Sequence, residues 1–176
     1  MPKDLVRVDL DVLYPPFLEK ELALLAACRA LGADYYLVSA YRSAREQEVK
    51  YAQGRFGNSG TIITKARGGY SCHNYGIAGD HAYDKDLDHK GLQPEWSDQK
   101  AYEVLKSEGK KLGLQVGVPT VKGGDPGHAQ LALADRLGRK EYGILLELRG
   151  VYLEGRTEKD SLKRAWAKLD EWGFDS

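Results

Sequence analysis

Very little in this chain of 176 residues is present in excess. Its 26 basic side chains are cancelled by 26 acidic ones, so it lacks the surplus of positive charge that nucleic acid or an anionic membrane would require. Long apolar runs are also missing, and the longest apolar patches fall far short of a membrane span. Charges are scattered through Met1 to Leu10, which therefore does not read as a secretory signal; the expectation is a protein made without export. Cysteine is limited to Cys28 and Cys72, enough for one bridge at most, and nothing in the chain looks disulfide-dependent. There is no internal repeat and no low-complexity segment. What remains is the composition of a globule, 42% hydrophobic and 30% charged, long enough to bury one core.

Periodicity and breakers divide the chain. Leu5, Val6 and Val8 read as a short strand, after which Tyr14-Pro15-Pro16 blocks helix before it and suits the first turn of one after it. Phe17 to Leu31 reads as a helix with Leu18, Leu22, Leu25 and Cys28 on one face and Gly32 at its end. Tyr35 to Ser39, aromatic and branched, follows as a strand. Ser43-Ala44-Arg45-Glu46 has the form of a capping box and opens a second helix that runs to Gln53 and stops at Gly54. Arg42 is thereby held in a turn between strand and helix, where a rigid scaffold can aim it at a cleft.

From Arg55 to Tyr70 the chain is polar and glycine-rich, an ordered loop lining a site or a mobile flap over it. Gly76 to Tyr83 reads as a strand and Asp84 to Glu95 as a polar connection. Ser97 caps a third helix, Asp98 to Leu112, which Gly113 ends. A short strand at Leu114 to Val116, a turn-rich loop from Gly117 to Gly127 and a final strand from His128 to Ala134 complete residues 1–135. Residues 136–176 read as a helical hairpin, Tyr142 to Leu153 and Glu158 to Trp172, with Leu162, Trp166, Leu169 and Trp172 striping its second helix. The simpler expectation packs this hairpin on the same domain; otherwise its aromatic face is a docking surface.

Two stretches carry chemistry. Ser71-Cys72-His73-Asn74-Tyr75-Gly76-Ile77-Ala78-Gly79-Asp80 sets an imidazole and a carboxylate seven residues apart around a glycine turn. Asp125-Pro126-Gly127-His128 sets a second carboxylate three residues before a second histidine. A catalytic zinc takes three nitrogen or oxygen ligands and keeps one position for water, a count that His73, Asp80 and His128 meet. Asp125, beside His128, is then the candidate general base. Gly76 and Ala78 are small where backbone would approach a metal. Strand alternation turns His81 to the opposite face from Asp80 and makes it a poor fourth ligand, and the same alternation turns the Cys72 thiol away into packing.

Thr64 to Tyr70 followed by Ser71 to Asp80 resembles the S-x-H-x-x-G-x-A-x-D signature of zinc D-alanyl-D-alanine carboxypeptidases and of the related L-alanyl-D-glutamate endopeptidases of bacteriophage lysins. Ser39-Ala40-Tyr41-Arg42-Ser43 with Gln47 is similar to their upstream S-x-Y-R-S-x-x-x-Q element, and Asp125-x-x-His128 to their terminal motif. The resemblance runs from Pro16 to Leu131. It implies an α+β fold of the DD-peptidase and Hedgehog type, with a small, mostly antiparallel sheet flanked by helices. It also implies that His73, Asp80 and His128 are zinc ligands, that Asp125 is the catalytic base, and that Arg42 binds a substrate carboxylate or the oxyanion. Ser71 would orient substrate. Val116 and Ala129 stand where relatives often carry aromatics, and Gly127 where proline is common, so the expectation is a wider pocket wall.

By that resemblance the substrate is the stem peptide of bacterial peptidoglycan, and the expected reaction is hydrolysis of its L-alanyl-D-glutamate bond by a monomeric endolysin. Such an enzyme is made in the host cytoplasm and reaches the wall when the membrane is permeabilised. A D-Ala-D-Ala carboxypeptidase or dipeptidase of the same family is the nearest alternative, and a non-catalytic zinc-containing wall-binding module is the alternative from another class. Separately, Asp84, Asp86, Asp88 and Glu95 fall at calcium-loop spacing, although His89 and Pro94 break the pattern and a solvated turn is the simpler expectation.

Overall fold

The computed structural model describes residues 8–85, 94–118 and 124–175. Leu5 and Val6 of the expected first strand, and Asp86 and Asp88 of the expected calcium loop, lie outside these residues, while Val8 sits in a bend. The fold is α+β. Five strands, β1 (Tyr35–Ser39), β2 (Ala78–Asp84), β3 (Pro94–Glu95), β4 (Leu114–Val118) and β5 (Asp125–Leu131), form one antiparallel sheet in the order β1-β2-β5-β4, with β3 paired to the far end of β2.

Helix α1 (Pro15–Ala30) begins at the prolines, which fit a first turn where amide donors go unused. The residues it buries are Phe17, Glu21, Leu24, Leu25 and Cys28, a face rotated from the expected leucine stripe and one that includes Glu21. That carboxylate, fully buried, receives Nε2 of the equally buried His81, whose Nδ1 meets the Gly127 carbonyl at 2.7 Å. Helix α2 (Ala44–Ala52) opens with the complete capping box predicted at Ser43 and Glu46. Helix α3 (Gln99–Lys111) is capped by Asp98, which accepts from the Ala101 amide at 3.0 Å. Ser97 instead turns back to Glu95, so the cap lies one residue later than expected.

The final strand also shifts. It starts at Asp125 and ends at Leu131, and a short helix α4 (Leu133–Leu137) takes the residues beyond it. Helices α5 (Glu141–Leu153) and α6 (Glu158–Glu171) then form the hairpin. Ile144, Leu145, Leu148, Ala165 and Leu169 join the same apolar core as the sheet and α1. Trp166 donates to the Tyr75 carbonyl at 2.9 Å, Tyr152 meets Tyr75 edge-on at 5.8 Å, and the Tyr14 hydroxyl reaches Asp170 at 2.5 Å. The hairpin therefore buttresses the turn that carries His73.

Candidate metal centre

Three elements bring the ligand candidates together. Antiparallel pairing sets Asp80 on β2 directly opposite His128 on β5. His73 comes from a 3₁₀ turn, Cys72–Tyr75, that leads into β2 and closes on Gly76 at φ +65°. A Cβ on Gly76 would lie 2.2 Å from the Val12 carbonyl oxygen, so glycine is needed there for contact with the chain before α1, not for approach to a metal. Asn74 locks the turn by donating to the Arg42 carbonyl at 2.7 Å and accepting from the amides of Gly69 and Ser71.

The result is a convergent donor set. Asp80 Oδ1 lies 3.1 Å from His73 Nε2 and 3.0 Å from His128 Nδ1, and one donor atom from each residue falls within 4.8 Å of the others. Ligands at zinc's usual distance of about 2.1 Å in a tetrahedron sit about 3.4 Å apart, so the two Asp80 separations suit a small divalent ion. The far nitrogens are both occupied, His73 Nδ1 by the Ala40 carbonyl and His128 Nε2 by Gln130 Oε1 at 2.9 Å. Each ring thus turns its remaining nitrogen to the centre, and the residues present fit a metal. Burial alone would raise the Asp80 carboxyl, yet hydrogen bonds from His128 and His73 outweigh it and hold Asp80 well below the usual carboxylate range. For His128 burial pulls downward, and the bond to Asp80 reverses the direction.

The centre forms the floor of a cleft of about 390 Å³. Arg42, Lys50, Lys65, Ser71, Asp125 and Glu141 all line it. The predicted site residues Arg42, Ser71, His73, Asp80, Asp125 and His128 therefore share one cavity. Arg42 is braced by Gln47 at 2.8 Å and Ser39 at 3.2 Å, and its guanidinium lies 3.6 Å from Asp80 Oδ2. Gln47 also donates to the Ala66 carbonyl at 2.8 Å, and Glu48 holds Arg67 and the Gly68 amide, so the loop after α2 is tied down as a wall of the cleft.

Asp125 and His128 are an odd number of residues apart, which would put them on opposite faces of a regular strand. They nevertheless line the same cleft, and the pairing with β4 between them is irregular. Val116 faces Ala129 and Val118 faces Asp125, so β5 spends four residues where β4 spends two. Asp125 Oδ1 accepts from the Gly127 amide at 3.2 Å inside this bulge.

Other expectations are revised. Val116, Ala129 and Gly127 do not line the cleft, so their small side chains do not widen its wall. Cys72 sits in a 3₁₀ turn, and it is the packing of that turn, not strand alternation, that buries its thiol. Both cysteines are free and buried. A calcium loop gains no support, because Asp84 is fully buried in the fold and Glu95 is engaged by the amide and hydroxyl of Ser97. Sequence reasoning missed Lys50, Gln130 and Glu141 altogether. Gln130 follows His128 by two and so must share its face, which was the available signal.

Comparison with known proteins adds to this geometry. The VanY family, described as D-alanyl-D-alanine carboxypeptidase, matches residues 12–127, which include Arg42, His73, Asp80 and Asp125, with His128 next in the chain. The peptidoglycan L-alanyl-D-glutamate endopeptidase CwlK of Bacillus subtilis (strain 168) is 38% identical over 109 residues. That match covers 57% of this chain and 65% of the relative's length, a little under two thirds.

Proposed function

The chain belongs to the VanY family of peptidases, and from that premise we propose that it is a zinc-dependent peptidoglycan endopeptidase that hydrolyses the L-alanyl-D-glutamate bond of the stem peptide. The observation that carries the proposal is the meeting of His73, Asp80 and His128 with Asp125 and Arg42 in one cleft. A zinc ion held by His73 Nε2, Asp80 Oδ1 and His128 Nδ1 would supply a water of lowered pKa and polarise the scissile carbonyl.

The remaining chemistry falls to the protein. Asp125 takes the proton of the attacking water and returns it to the leaving amine. Arg42, held in orientation by Gln47 and Ser39, faces the charge that develops on the carbonyl oxygen. Ser71 at the cleft wall orients the peptide. Lys50 and Lys65 add positive charge to the wall that carries Arg42, which suits a substrate whose D-glutamate keeps a free carboxylate. Lys50 is drawn below its ordinary pKa by desolvation first and by the Arg42 guanidinium second. A module that merely bound the wall through a structural metal would have no use for Asp125 and Arg42.

The family's description favours a second reading, release of terminal D-alanine. Mass spectrometry of peptidoglycan treated with the protein separates the two. New L-alanine C-termini with D-glutamate N-termini support the endopeptidase, whereas free D-alanine overturns it in favour of the carboxypeptidase. The proposal extends to a monomeric, phage-type lytic enzyme that meets its substrate once the membrane is opened. Clearing of permeabilised cells, with no clearing of intact ones, is the expected outcome.

A further inference from the structure

His73 and His128 are oriented by different means. The far nitrogen of His73 meets a backbone carbonyl, Ala40, that no substitution can remove. The far nitrogen of His128 meets a side chain, and that side chain is itself held by another. Gln130 is buried on β5, and its amide nitrogen lies 2.7 Å from Glu141 Oε2 and 3.3 Å from Gln115 Oε1. Both of these partners are oxygens, so the NH₂ end of the amide must face them. The carbonyl end is left to face His128 Nε2 at 2.9 Å. An amide oxygen only accepts, so Nε2 must carry the hydrogen and Nδ1 is the nitrogen offered to the centre.

Glu141 is the first residue of α5, where the helix dipole favours a carboxylate. It belongs to the C-terminal hairpin and contributes no donor atom to the convergent set of His73, Asp80 and His128. We propose that Glu141 and Gln130 form a positioning relay that sets the polarity of the hydrogen bond on His128, so that the hairpin completes the metal centre. This rests on the zinc-peptidase reading, and goes beyond it by assigning two positioning residues and a role for the tail.

The test is the zinc affinity of the chelator-stripped protein, measured by competition with a chromophoric chelator, alongside the visible spectrum of the cobalt-substituted form. Removing a partner that orients a metal-bound histidine weakens binding by about 10–100-fold. Gln130→Leu and Glu141→Leu are each expected to show a loss in that range and an altered cobalt spectrum. The double variant should be no worse than Gln130→Leu alone, because Glu141 acts only through Gln130. Glu141→Gln keeps an acceptor for the Gln130 amide and should retain affinity within about threefold. The exchange Gln130→Glu with Glu141→Gln rebuilds the relay with a carboxylate facing His128 and an amide behind it, and should also restore binding.

Leucine variants that bind zinc like the wild type would overturn the relay while leaving the zinc reading intact. Losses that add in the double variant, or an exchange that fails to rescue, would likewise reduce the two residues to packing. A wild-type protein with no zinc affinity would overturn the relay and the zinc reading together.

Discussion

Replacing Gly127 by alanine tests how closely β5 must lie on β2 for the centre to form. A Cβ at this position would stand 2.3 Å from the His81 carbonyl oxygen, with Tyr102 next at 3.4 Å. Reaching even 3.0 Å requires a displacement of about 0.7 Å, and the obstacle is sheet backbone that cannot swing away like a side chain. His81 follows Asp80 and Gly127 precedes His128, so the displacement falls on the pairing that sets those two side chains 3.0 Å apart. It also loads the contact between His81 and the Gly127 carbonyl.

Overpacking of this kind costs about 1–3 kcal/mol. For a chain of this length a loss of about 2 kcal/mol lowers Tm by roughly 4–8 °C. Misplacing a catalytic group by about 1 Å can cost about 100-fold in rate, and kcat/KM is expected to fall toward that extent. Differential scanning calorimetry and a peptide-release assay on peptidoglycan read the two effects. Gly143→Ala is the control, since its Cβ would meet nothing within 4 Å on helix α5 and should stabilise by roughly 0.5–1 kcal/mol. A Gly127→Ala variant with wild-type Tm and wild-type kcat/KM would show that the close approach of β5 to β2 is not needed to form the centre.

Asp125→Asn should lower kcat by about 10²–10⁴-fold while zinc still binds at wild-type affinity, and retained turnover would remove Asp125 as the base. Lys50→Ala should raise KM several-fold with kcat nearly unchanged, whereas an unchanged KM would detach Lys50 from substrate binding. Burial pushes the Cys28 thiol up to about 12, and burial likewise raises Cys72. Both thiols thus stay protonated at pH 8, and Ellman's reagent should label neither in the folded protein and both after denaturation. Hydrogen bonds from Ser43 hold Glu46 below its ordinary 4.5, so its contribution is present above that value and is lost as pH falls through the folded-state pKa. The Tm gap between wild type and Glu46→Gln should therefore be open at pH 6 and close in acid. A gap independent of pH would show that the capping box does not depend on charge.

Much of this architecture was legible because local signals and the fold agree. The capping box at Ser43, the terminating glycines and the aromatic strand Tyr35–Ser39 act within a few residues, and all three appear where the pattern put them. The spacing of His73 and Asp80 likewise encodes a turn feeding a strand. What stayed hidden depends on partners distant in sequence. Glu21 is buried on α1 against His81, a partner sixty residues on that no local pattern in the helix announces. The irregular pairing between Asp125 and His128 depends on β4, which no periodicity in β5 reports. Gln130 could have been placed on the face of His128 by alternation, but Glu141 reaches it only because the start of α5 comes to lie beside β5.

If one metal centre, built on β2, β5 and the turn before β2, drives hydrolysis of the stem peptide, a zinc titration of chelator-stripped protein will show it while release of peptide amines from peptidoglycan is followed. Activity should be absent at the start, rise in proportion to added zinc and level off at one ion per chain, and Asp80→Ala should not respond. Full activity in the stripped protein, or an Asp80→Ala variant that titrates like the wild type, would contradict the account.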